Sequence, residues 1–373
     1  MVEMKKLRIG VILGLVLSVV LLQRCKKDPP DTCTNCPPPQ VGTPYELEVP
    51  DGFPQPFIPA DNPMTVEGVE LGRHLFYDKR LSDDLTMSCG SCHHQAFAMA
   101  DTPDKVKSVG IVGDSTRRHA MPIFNLAFQE TFFWDGRVST LEEQSLHPII
   151  DPVELNTTVE KVLSRLEADT AYPDMFEAAF GDKTINADRL AKAIAQFERS
   201  IVSANSKFDR VVRLKIESFT PSEQRGFEMY NNETGDCFHC HGMAETRFLM
   251  GAFGVDNTFL NNGLKADYSA DEGRKEVTGD PGDLGKFKVP STRNIAFTFP
   301  YMHDGSVPDL DSLIEFYNFG GHPGPGNNID PNMKAAGVGR NWTKQQKEDL
   351  AAFLQTMTDF DLLQNPDYSD PFQ

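Results

Sequence analysis

Positive charge is in short supply in this chain. Its 36 Lys and Arg stand against 54 Asp and Glu, a formal net charge of −18 over 373 residues. Such a surface repels phosphate backbones, which argues against nucleic acid as a partner; it fits attraction of a basic protein, or a charge that simply keeps the chain soluble. Long apolar runs are scarce as well. The one of note, Ile9 to Leu22, is too short for a comfortable membrane span. It follows Lys5, Lys6 and Arg8, the layout of an export signal. Strand signals are few, and the hydrophobic fraction of 39% is slightly low for a soluble protein. With 26 Pro and 28 Gly, many turns and long loops are expected.

The seven cysteines divide by position. Cys25 closes Leu22-Gln23-Arg24-Cys25, which is similar to a bacterial lipobox except that Arg24 replaces a small residue. Residues 1–25 are thus expected to be a signal peptide with Cys25 as lipid acceptor. That places the chain in the periplasm, touching a membrane only through the lipid. Cys33 and Cys36 form a CxxC without a following His, in a Pro-rich stretch read as a tether over residues 26–60. The other four lie in Cys89-Gly90-Ser91-Cys92-His93 and Cys237-Phe238-His239-Cys240-His241. CxxCH is the attachment motif of c-type haem: two thiols bond one porphyrin and the adjacent His ligates its iron. Two haem c groups are expected, held by Cys89, Cys92 and His93 and by Cys237, Cys240 and His241. Two buried porphyrins would also supply core that the side chains need not provide.

Each motif follows a similar unit. Val69 to Tyr77 and Glu223 to Tyr230 both read as short helices with Gly and an aromatic on one face. Thr220-Pro221-Ser222-Glu223 supplies a cap, a Pro and an acid for the second helix start. Ala187 to Ile201 and Thr343 to Met357 carry apolar residues at helical spacing. The fold expected is all-α, with two cytochrome c-like haem domains, at residues 61–205 and 206–373, joined by long loops.

Between the motifs lie Phe132-Phe133-Trp134-Asp135-Gly136-Arg137, then Gln144, then Glu154; Pro300-Tyr301-Met302-His303-Asp304-Gly305 follows the second motif. Over about residues 64–360 the chain resembles the bacterial dihaem cytochrome c peroxidases and their relative MauG. The resemblance implies that the first haem is peroxidatic and the second receives electrons. It implies that Trp134 lies between them and relays charge. Gln144 and Glu154 are implied on the distal face of the first haem, where a carboxylate takes a proton from one peroxide oxygen and returns it to the other.

Two departures matter. Where many members place a His that caps the first iron, this chain has Ile111, which cannot bind iron; His119 is a remote alternative. Where the peroxidases place the Met ligand of the second iron, this chain has Tyr317, as MauG-like members do. Met302, Met333 and Met357 compete with it. The resemblance further implies calcium between the haems, held by backbone carbonyls of Thr298 and Pro300, although His119 stands at the position of an Asn ligand.

The function expected is reduction of hydrogen peroxide to water with electrons from a small periplasmic donor, a cytochrome c or a cupredoxin. The first alternative is a MauG-like oxidase acting on side chains of a partner protein. The second is a pure electron-transfer cytochrome, which an open first haem disfavours. A homodimer is compatible with each.

Overall fold

Most helices begin where a short polar side chain closes the first turn. Thr65, Thr140, Thr158, Asn186, Thr220, Asp309 and Thr343 each accept a backbone N–H two or three residues into a helix. At Thr220 and Thr343 the acceptance is reciprocal, a capping box with Glu223 and Gln346. The computed structural model describes residues 41–242, 259–322 and 328–373. The proposed signal, Cys25, Cys33 and Cys36 lie outside the described residues.

In chain order the helices are α1 (Val66–Tyr77), α2 (Leu141–Ile150), α3 (Val159–Glu167), α4 (Tyr172–Phe180), α5 (Ala187–Ser200), α6 (Pro221–Tyr230), α7 (Phe238–His241), α8 (Lys275–Thr278), α9 (Leu310–Phe319) and α10 (Lys344–Gln355). Several one-turn segments lie between them. The strands among the described residues are β1 (Phe259–Leu260) and β2 (Phe287–Lys288), paired antiparallel. The molecule is therefore mostly helical, with a two-residue ladder that the sequence reading did not expect. The four helices expected from sequence form within a few residues of their predicted ends. No helix among the described residues is long and apolar enough to cross a membrane.

Two internal likenesses organise the chain. In the first, α1 crosses α5 and α6 crosses α10 at a glycine. A Cβ on Gly72 would meet the Ala193 carbonyl oxygen at 1.9 Å; one on Gly226 would meet that of Asp349 at 2.0 Å. One turn further on, Phe76 packs on Phe197 and Tyr230 on Phe353, with ring centroids 5.3 and 5.4 Å apart. In the second, a tight turn leads into a helix. Phe132 pairs with Val138, Phe133 has φ +65°, and Gly136 N donates to the Phe133 carbonyl. Tyr301 pairs with Val307, Met302 has φ +76°, and Gly305 N donates to the Met302 carbonyl. The two segments stay in register through α2 and α9. Phe133 thus corresponds to Met302, Trp134 to His303, Gln144 to Leu313 and Pro148 to Tyr317.

The cores follow the same division. One gathers Leu71, Leu75, Ile149, Val162, Phe176 and Ile194 from α1 to α5. Another gathers Tyr230, Ile314, Leu350, Phe353 and Met357 from the later helices. The C-terminal tail returns to the earlier half, where Leu362 and Tyr368 pack with Phe76, Phe124 and Phe197.

Candidate active site

After the first motif the chain doubles back. His94 pairs with Ala100, and Ala98 and Met99 adopt left-handed φ of +53° and +59°. This brings the Met99 carbonyl 3.0 Å from His93 Nδ1. A carbonyl only accepts, so Nδ1 carries the proton and Nε2 keeps its lone pair. Burial pushes the His93 imidazole down to about 4, which holds it neutral. His241 repeats the arrangement: its Nδ1 lies 3.2 Å from the Pro290 carbonyl, and burial again lowers it to about 4. None of the four motif cysteines is engaged in a disulfide, so each sulfur remains available to a porphyrin.

His93, Cys89 and Cys92 open on a cavity of about 620 Å³. Trp134, Gln144 and Glu154 line the same cavity, so the structure brings together every residue expected at the first site. Gln144 reaches it from α2, on the face that also presents Pro148 and, beyond the helix end, Asp151. Its Oε1 is buried and without a protein partner. Glu154 is pushed up to about 7, first by burial and then by Asp151, against the pull of Arg137. Arg137 itself stacks on Phe133, 3.5 Å from the ring centroid, and bonds Asp135 at 3.1 Å.

The turn that carries Trp134 cannot accept a side chain at Gly136. A Cβ there would meet the Phe259 ring at 2.2 Å, and φ is +65°. Trp134 is 8% exposed. Its indole N–H donates to the His119 carbonyl at 2.8 Å, and its own carbonyl accepts from Lys288 N at 2.7 Å.

Ile111 is held away from the cavity wall. Its N–H donates to the Glu154 carbonyl, and its neighbour Gly110 packs where a Cβ would meet the Val153 carbonyl oxygen at 1.9 Å. His119 is less remote than the sequence implied. It lines the cavity with a buried, unpartnered Nε2, while its Nδ1 faces the Val106 carbonyl at 3.0 Å.

That commitment bears on the calcium expectation. The His119 side chain offers no oxygen, which a hard cation requires, so it cannot stand in for the Asn ligand. The described residues include one cluster with metal-ligand spacing, Glu233, Asp236 and His239, which is unrelated to those positions.

At the second site Tyr317 lies beside both thiols. Burial and the neighbouring Cys240 raise its hydroxyl, and hydrogen bonding from Asn262 lowers it. Met302 packs against the same core. Met357 is fully buried within that core, whereas Met333 is not among its members.

A family model described as di-haem cytochrome c peroxidase matches residues 66–217. A methylamine utilization protein MauG from Methylorubrum extorquens is 33% identical over 300 residues, covering 80% of each chain. Cytochrome c551 peroxidase from Nitrosomonas europaea is 31% identical over 302 residues, covering 81% of this chain and 83% of its own. The crystal structure of a MauG-like protein associated with microbial copper homeostasis superposes with a TM-score of 0.78 at 35% identity, covering 88% of this chain and all of the other. The chain belongs to the dihaem cytochrome c peroxidase/MauG family.

It is accordingly an oxidoreductase of the dihaem peroxidase type with two covalent c-type haems. The donor set fits that cofactor. Each motif offers two thiols and an imidazole whose outer nitrogen is anchored to a carbonyl, the arrangement that orients a metal-binding His. The first cavity also holds cations for an anionic porphyrin: Arg137 and the buried Lys288, whose Nζ donates to Gln129 Oε1 at 2.5 Å.

Two features of this dihaem protein escaped the sequence reading. Glu198 lines the first cavity from α5, 2% exposed, with Oε2 unpartnered. Burial pushes it up to about 8, and the Arg199 beside it binds Glu142 instead, at 2.7 Å. In sequence it reads as one more polar residue of an amphipathic helix. Val289, Pro290 and Ser291 form a wall of the first cavity, while the Pro290 carbonyl anchors His241 of the second haem. Residues so far from the first motif carry no local signal of this.

Proposed function

We propose that the protein reduces hydrogen peroxide to water at the first haem, with electrons delivered through the second haem by a small, basic periplasmic donor such as a cytochrome c or cupredoxin. Each turnover takes up two electrons and two protons and yields two waters. The haem supplies the iron that binds peroxide and passes electrons to it. The chain's residues do the rest. Glu154 accepts the peroxide proton and returns it to the departing oxygen, and Gln144 orients the substrate through its free carbonyl oxygen. Trp134 carries charge between the two halves, and neither Pro148, which lines the cavity, nor Ile111, which stands away from it, supplies a side chain that ligates iron.

The observation that carries this reading is the convergence of Glu154 and the unpartnered Gln144 on the cavity of His93, Cys89 and Cys92. A carboxyl raised to about 7 is poised to exchange a proton near neutral pH. The test is steady-state peroxide reduction with reduced cytochrome c. In the wild type kcat/KM should fall as pH drops below about 7, because Glu154 must be ionised to act as a base. Glu154→Gln should lower kcat/KM by roughly 10²–10⁴ and abolish that limb. A variant with wild-type rate and pH profile would refute the assignment.

Tyr317 favours a second reading. It lies beside Cys237 and Cys240 where the peroxidases carry Met, which supports a MauG-like oxidase acting on a partner protein's side chains. A phenolate ligand stabilises ferric iron, which makes the second haem a poorer acceptor from a donor. Peroxide added with and without reduced cytochrome c separates the two readings: the peroxidase consumes cytochrome, whereas the oxidase consumes peroxide at the expense of a protein substrate.

The same reading takes residues 61–205 and 206–373 as the two haem units, all-α in design, and residues 1–25 as the export signal with a lipid on Cys25.

A further inference from the structure

Two side chains able to donate to the second iron meet at one amide. Asn262 Nδ2 donates to Met302 Sδ at 3.3 Å. Hydrogen bonding from the same side chain acts on the Tyr317 hydroxyl. The amide cannot turn over freely, because its Oδ1 accepts the Leu264 N–H at 3.1 Å. The amide nitrogen is therefore the end that faces the Met302 sulfur.

The repeated turn and helix says what these two positions look upon. Phe133, the counterpart of Met302, and Pro148, the counterpart of Tyr317, both line the first haem cavity. Met302 and Tyr317 occupy those places in the second unit. Met302 holds φ +76°, which a residue with a Cβ seldom adopts, and the Gly305 N–H bond to its carbonyl at 3.2 Å keeps it there. The second site thus has two rival donors, an oxygen and a sulfur, on one hydrogen-bonding residue.

We propose that Asn262 is the positioning residue that selects the sixth ligand of the second haem, occupying the Met302 sulfur with one N–H and bracing the Tyr317 oxygen with the other. This rests on the reading of Tyr317 as ligand. The chemistry favours oxygen under this arrangement. A thioether is a weak donor, and an N–H directed at its sulfur weakens it further. A phenolate has lone pairs to spare and is stabilised by an N–H. Without the amide donor the sulfur is freed and the phenolate loses its brace, so ligation passes to Met302. A thioether ligand raises the potential of a haem.

The test uses the full-length, haem-loaded protein. Asn262→Asp keeps the acceptor for Leu264 and the shape of the side chain but removes both N–H groups. Asn262→Leu removes them without adding charge. Two haems per chain and an unchanged first-haem spectrum confirm that each variant is folded. The readouts are ferric optical and magnetic circular dichroism spectra and a potentiometric titration. Both variants should lose the phenolate charge-transfer band, gain the near-infrared band of a thioether-ligated ferric haem, and show a higher second-haem potential. Adding Met302→Leu should remove the near-infrared band. If Tyr317→Phe alters the ligand spectrum but neither Asn262 variant does, the proposal is overturned while the ligand assignment stands. Loss of the phenolate band with no sulfur band also overturns it. If Tyr317→Phe leaves the spectrum as in wild type, the ligand reading itself is wrong.

Discussion

Glu198 and Leu354 hold equivalent places in the two units, each one residue beyond the phenylalanine that meets the crossing glycine. The second unit fills the place with an apolar side chain, 6% exposed. The first fills it with a carboxyl whose nearest cation, Arg199, bonds Glu142 instead and offsets its burial only in part. Burial raises Glu198 from 4.5 to about 8, so the folded state binds a proton that the unfolded chain releases. The stability this confers is complete below about pH 4.5 and is lost as pH rises through about 8. Within that window the slope from this group is at most roughly 1.4 kcal/mol per pH unit. Thermal unfolding of the haem-loaded protein should therefore show a melting temperature that declines from pH 5 to pH 8. Glu198→Gln should flatten the decline, and an identical slope in the variant would show that the carboxyl is satisfied. Glu154, raised to about 7, contributes in the same direction, so the double variant should be flatter still.

At the scale of elements, the helix crossings rest on two glycines. Gly72→Ala places a methyl 1.9 Å from a backbone carbonyl oxygen that cannot step aside without moving α5. The expected cost is roughly 1–3 kcal/mol, read as a fall in the denaturation midpoint; Gly226→Ala should do the same to α10. The sequence displayed this much. Caps at Thr220 and Thr343, a Gly and an aromatic four residues apart, and CxxCH are local patterns, and local patterns predict local structure. The FWDG turn is legible only through family resemblance, and its kinship with MHDG has no local sequence signal. The two share Asp and Gly but differ at the two preceding positions, where Phe133 and Trp134 become Met302 and His303. The ladder of β1 and β2 was equally invisible, since two residues are too few to show a period. The cavity wall at Val289 to Ser291 is assembled by tertiary contact alone.

For the molecule as a whole, one segment serves both sites. Val289 to Ser291 walls the first cavity, the Pro290 carbonyl holds His241, and Lys288 N bonds the Trp134 carbonyl. Trp134 therefore sits in a hydrogen-bonded link between the two halves. Trp134→Phe should slow charge exchange between the haems, followed by rapid mixing with reductant, while leaving both haem spectra intact. Altered spectra would mean that the indole supports a haem pocket instead. A pyridine haemochrome assay should find two haems per chain, and one after Cys237→Ala with Cys240→Ala.

The central claim is an asymmetry: an open first site lined by Glu154 and Gln144, and a second site closed by a protein ligand. Electron paramagnetic resonance of the resting ferric protein tests it most directly. The account predicts one high-spin and one low-spin haem in equal amounts, with the high-spin signal lost on adding peroxide and no need for prior reduction. Two low-spin haems, unreactive to peroxide until an electron is supplied, would contradict it and point to His119 as a ligand of the first iron.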